Sequence, residues 1–109
     1  RRLSPPLAAE LAWGFAAAGA AHAGLFAELG ALCREHLWSL ETEDVAGFAW
    51  SFAKVGCKEA EVWRAIRSYA ARFAGRFYQS EKDVLAWALT EAGHGPLPAR
   101  GPAGEGPAP

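Results

Sequence analysis

LAWGFAAAG (Leu11 to Gly19), FAWSFAKVG (Phe48 to Gly56) and LAWALTEAG (Leu85 to Gly93) begin 37 residues apart, twice. They set Trp13, Trp50 and Trp87 in one column and Ala12, Ala49 and Ala86 in another, and each segment closes on a glycine: Gly19, Gly56 and Gly93. A fixed period of this size is the mark of stacked supersecondary units, each unable to bury its apolar face alone.

The agreement runs past the nine-residue segments. Leu25 aligns with Val62, Phe26 with Trp63, Leu29 with Ile66, Leu32 with Tyr69 and Leu40 with Phe77, apolar against apolar throughout. Each copy is entered through Ser4-Pro5-Pro6, Thr42-Glu43-Asp44 or Ser80-Glu81-Lys82-Asp83. A capping side chain followed by proline or acids suits the first turn of a helix, and Ser80 with Asp83 has capping-box spacing.

Each unit therefore reads as a first helix (about 5–18, 43–55 and 80–92), a turn at the glycine and a second helix (about 21–37 and 58–75). The glycine supplies the left-handed residue that ends the first helix. Val62, Ile66, Tyr69, Phe73 and Phe77 share one face of the second helix in unit two, with Arg64, Arg67 and Arg72 away from it. The first helix of that unit is apolar on two sides: Val45, Phe48, Phe52 and Val55 on one, Ala49, Trp50 and Ala53 on the other. A helix apolar on two sides is expected to be sandwiched, with the three column tryptophans in the core. The fold predicted is an all-α helix-turn-helix repeat solenoid of five helices, two and a half repeats over residues 1–93 (about 3–39, 40–76 and a partial 77–93).

From Gly93 to Pro109 there are five Gly, five Pro and no apolar periodicity, so 94–109 reads as a flexible tail. The third unit has no second helix after it, which leaves Leu85, Trp87 and Leu89 to be covered by the tail or by a protein partner.

Composition narrows the function classes. The 109-residue chain is 51% hydrophobic with a net charge of −1, so its total field does not favour nucleic acid or anionic membranes. No uninterrupted apolar stretch has the length of a membrane span, and the chain reads as soluble. It contains no Met and opens Arg1-Arg2, as a mature form or an excerpt of a longer protein would. Two cysteines, Cys33 and Cys57, are too few for a disulfide framework and imply thiols in a reducing compartment.

Chemistry is sparsely marked. Cys33 with His36, and Cys57 with His94, lack the paired spacing of a zinc site, and no metal or other cofactor is expected. No nucleophile, base and orienting acid are marked as a set. Glu41, Glu43 and Asp44 sit at a helix start, where the dipole explains them. The glycines recur with the repeat and form no phosphate loop. An enzyme is not expected.

The signature Leu/Phe-Ala-Trp-x-Phe-Ala-x-x-Gly at a 37-residue period resembles the octotricopeptide repeats of green-algal organelles and the similar heptatricopeptide repeats of other protists, over residues 3–93. Those families are α-solenoid RNA-binding proteins of mitochondria and plastids, acting in transcript processing or stability or as parts of mitochondrial ribosomes. The resemblance implies that location and an RNA partner here. The alternative, from a different class, is a structural or assembly subunit that docks on protein without RNA.

In an array of that kind the open strip of each first helix would face the ligand. Here the strip reads Glu10, Gly14, Ala17; Gly47, Ser51, Lys54; Val84, Ala88, Glu91. Only Lys54 is cationic. The stronger electrostatic signal is the group Lys54, Lys58, Arg64, Arg67, Arg72 and Arg76, concentrated in the second unit after a stretch dominated by Glu28, Glu35, Glu41, Glu43 and Asp44. These six cations and Ser51 are the expected RNA-binding residues.

Overall fold

The computed structural model describes residues 4–20 and 22–97. All regular elements among them are helical: α1 (Pro5–Ala17), α2 (Ala23–His36), α3 (Thr42–Lys54), α4 (Ala60–Arg72) and α5 (Gln79–Glu91), with 3-10 turns at Leu37–Ser39 and Ala74–Arg76. Of the tail expected over 94–109, residues 94–97 are held against the helices and residues 98–109 lie outside the described residues. No helix among those described is long and apolar enough to cross a membrane.

The helix starts follow local chemistry, though not always at the expected residue. Ser4 caps α1, its Oγ accepting the Leu7 N–H at 3.3 Å, with proline at the first two helical positions. In α3 the cap is Glu41, one residue before the expected Thr42; its N–H donates to Asp44 Oδ2 at 3.3 Å. In α5 the cap is Tyr78, whose N–H donates to Glu81 Oε1 at 3.0 Å, so Ser80 and Asp83 lie inside the helix and do not form the expected box. Glu81 also accepts the Thr42 hydroxyl at 2.9 Å, a bond from the start of α3 that holds Glu81 in the capping position.

The three glycine turns are alike in detail. Gly19, Gly56 and Gly93 have φ of 75°, 76° and 81°. Their N–H groups bond to the carbonyls of Ala16, Ala53 and Thr90, and those of the next residues, Ala20, Cys57 and His94, reach back to Phe15, Phe52 and Leu89 at 2.8–2.9 Å. This paired bonding is the Schellman arrangement, which satisfies helix-end carbonyls through a left-handed residue.

The helices form two rows. α3 packs extensively on both α1 and α5, and α2, which also contacts α1, packs on α4 in the second row. This flanking on both sides explains why Val45, Ala46, Phe48, Ala49, Ser51 and Phe52 of α3 are all buried. The core lies between the rows, where Leu29, Cys33 and Leu37 meet Val62, Trp63 and Ile66 with Phe48, Phe52, Leu85 and Leu89. At Gly30 a Cβ would stand 3.3 Å from Val62 Cγ2, so the missing side chain lets α2 approach α4. α1 buries only alanines: Ala8, Ala9, Ala12 and Ala16.

Two expectations about burial are corrected. The column tryptophans are not core: Trp13 is 52% exposed, Trp87 39%, and Trp50 is half-buried. Trp50 and Trp87 each lie two residues after a core position, Phe48 and Leu85, about 200° round the helix, and so point away from the second row. The core tryptophan is Trp63, fully buried, with its indole N–H donating to the Cys57 carbonyl at 3.0 Å and its ring stacked on His94 at 5.9 Å. Nor do Leu85 and Leu89 await a partner, since both are fully buried by the chain itself and only Trp87 is open.

Candidate nucleic-acid interface

The expected RNA-binding residues do not form one surface. Ser51 is a correction: it is fully buried, and its hydroxyl donates to the Gly47 carbonyl at 2.7 Å, because the neighbouring first-row helices close over that part of the strip. Ala88 of the same strip is also fully buried. The Arg67 guanidinium is spent on the chain, its Nη1 donating to the carbonyls of His94 and Pro96 at 2.9 and 2.8 Å and tying residues 94–96 to α4. Leu97 beyond them packs against the core.

Arg64 is exposed on α4, 3.8 Å from Glu61 one turn earlier. Lys58 is exposed after the second glycine turn, at a cleft of about 300 Å³ bounded by His22, Phe26, Val55 and Cys57. Lys54 stands over the Trp50 ring, Nζ to centroid 5.9 Å.

Arg72 and Arg76 are brought together with aromatic rings. The Arg72 guanidinium lies 5.8 Å from the Trp38 centroid and 5.9 Å from that of Phe73, and Arg76 is 4.8 Å from Phe73. Trp38 is 54% exposed and stacks on Tyr69 at 5.7 Å; Tyr69 in turn meets Phe73 at 4.7 Å and Phe77 at 5.9 Å. The Tyr69 hydroxyl is held above its usual pKa by burial and then by the Glu41 carboxylate. The result is a ridge of rings and guanidinium groups in which the Trp38 indole is well exposed. Beside it runs a cleft of about 540 Å³ reaching Glu41, Glu43, Tyr78 and Glu81, with Tyr78 74% exposed. Cations flank the ridge and carboxylates line the cleft.

Trp38 and Tyr78 are the residues missed in sequence. Trp38 falls outside the tryptophan column, and its counterpart 37 residues later is Gly75. A large ring that breaks the register of a repeat is not required by the repeat itself, and that was the available signal.

Other chemistry-bearing groups have structural places. Cys33 is fully buried, and burial pushes its thiol up to about 12, which keeps it neutral. His36 is exposed next to Glu35. No group of three or more His, Cys, Asp or Glu placed to hold a metal occurs among the described residues. Comparison with protein-family models, curated proteins and solved structures finds no match for this chain.

Proposed function

We propose that the chain is an RNA-binding helical-repeat segment of the octotricopeptide and heptatricopeptide kind: two and a half units of a helix-turn-helix solenoid, acting in a mitochondrion or plastid on transcripts or within a ribosome. The repeat reading is supported by three glycine turns of one geometry at 37-residue spacing and by first-row helices that pack in chain order.

The observation that carries RNA binding is the exposed Trp38 indole packed beside Arg72 and Phe73, with Arg76 against Phe73. A base stacks on an exposed ring whatever its sequence, and guanidinium groups close to that ring meet the flanking phosphates. Lys58 and Arg64 are exposed cations apart from this group, whereas Ser51 plays no part and Arg67 serves the fold. The activity proposed is binding, not catalysis: the acids at the helix starts cap, the turn glycines reverse the chain, and the Cys33 thiol is neutral and enclosed.

The test is anisotropy of a labelled single-stranded oligouridylate at two salt concentrations. Binding should weaken as salt rises, and Arg72→Ala with Arg76→Ala should flatten that dependence. Trp38→Ala should weaken binding about tenfold, as loss of one stacked base predicts. No binding at low salt would overturn the reading.

A further inference from the structure

The first-row helices carry a second exposed aromatic surface, of opposite charge. Trp13 of α1 and Trp50 of α3 lie with ring centroids 5.6 Å apart and planes tilted by 31°. Both border a groove of about 390 Å³ that continues to Val84 and Glu81 of α5, and Trp13 also borders a groove of about 250 Å³ beside Glu10, Glu43 and Asp44. Glu43 is common to both grooves, which makes them one continuous surface across three helices. Among the described residues, none of Glu10, Glu43, Asp44 and Glu81 is paired with a lysine or arginine. Helix-end chemistry accounts for Asp44 and Glu81 but not for Glu10, which is exposed in the middle of α1.

Paired indoles left open to water are unfavourable unless something covers them, and rings edged by carboxylates attract a cation that also presents apolar stem. The protein supplies its own small instance, the Lys54 ammonium over the Trp50 ring. Phosphate would be repelled here. A second copy of the chain would set carboxylates against carboxylates. With helices spaced about 9 Å apart, three helices span a length that about six extended residues cover.

We propose that the Trp13–Trp50 face is a docking groove for a lysine- or arginine-bearing segment of a partner protein, its side-chain stems lying on the two indoles and its charges meeting Glu10, Glu43, Asp44 and Glu81. This surface meets the cleft beside the Trp38 ridge at Glu43 and Glu81 but draws on different aromatic rings, and a repeat segment using both would join an RNA to a basic protein.

The experiment titrates the full chain into a labelled ten-residue peptide of alternating arginine and serine, its counterpart with glutamate for arginine, and labelled oligouridylate. The arginine peptide should bind, more weakly at higher salt, and the glutamate peptide should not. Trp13→Ala, and separately the isosteric pair Glu10→Gln with Glu43→Gln, should each weaken the arginine peptide about fivefold, while Arg72→Ala with Arg76→Ala does not weaken it. Equal binding of both peptides, no binding, or indifference to the Glu10 and Glu43 changes would overturn the proposal. So would loss of oligouridylate binding in Trp13→Ala, or sedimentation showing a dimer that Trp13→Ala dissociates.

Discussion

The Tyr69 hydroxyl of α4 donates to the Leu40 carbonyl at 2.6 Å, a buried bond that joins the turn between α2 and α3 to α4. Leu40 closes the turn after α2, so this bond sets where α3 begins relative to α4. Tyr69→Phe keeps the ring and its aromatic neighbours but strands a buried acceptor, which costs about 1–2 kcal/mol. Thermal unfolding should show a midpoint lowered by several degrees with no change in helical signal. An unchanged midpoint would mean that water replaces the hydroxyl.

Trp63 and Trp13 should behave as opposites. Trp63 is fully buried and bonded to the Cys57 carbonyl, so Trp63→Ala should cost about 3–5 kcal/mol, a large part of the stability of a domain this size. Trp13 is half exposed, and Trp13→Ala should stay within about 1 kcal/mol. Urea denaturation of the two variants measures the contrast, and a comparable loss in both would contradict the packing described above.

Two glycines in unit two make a similar pair. At Gly56 the φ of 76° disfavours any side chain, and Gly56→Ala should destabilise by about 1–2 kcal/mol. Gly47 lies inside α3, and a Cβ there meets nothing within 4 Å, so Gly47→Ala should stabilise by about 0.5–1 kcal/mol. Chemical denaturation should show opposite shifts in midpoint.

Cys33 predicts an alkaline limit to stability. Its thiol ionises near 9.0 when unfolded and only near 12 when folded, so the folded state keeps the proton longer. That contribution is fully present below pH 9, falls as pH rises and is gone above about 12. Tyr69, with its pKa also raised, adds to the decline in the same direction. Denaturation midpoints across this range should fall, and Cys33→Ala should make the fall shallower. In the native protein a thiol reagent should label the half-buried Cys57 first, with Cys33 reacting only as the chain opens.

What was legible in the primary structure was local. Whether a chain turns at Gly19, Gly56 and Gly93 depends on the glycine and the few residues before it, so the five helices could be read with ends within a few residues. The apolar alignment of Val62 with Leu25, and of Ile66 with Leu29, likewise needs only helical periodicity. The exact caps were not legible, because Glu81 takes its place at the head of α5 partly through Thr42, 39 residues away.

The surfaces depended on assembly. Periodicity assigns angles around a helix axis but does not say which apolar sector meets the second row and which meets an adjacent helix. That choice buried Trp63, left Trp13 exposed beside the half-buried Trp50, and closed Ser51 inside α3. It also set Arg67 against the His94 and Pro96 carbonyls while leaving Arg72 and Arg76 beside Trp38. Residues far apart in the chain share those sites, and nothing short of the packed helices brings them together.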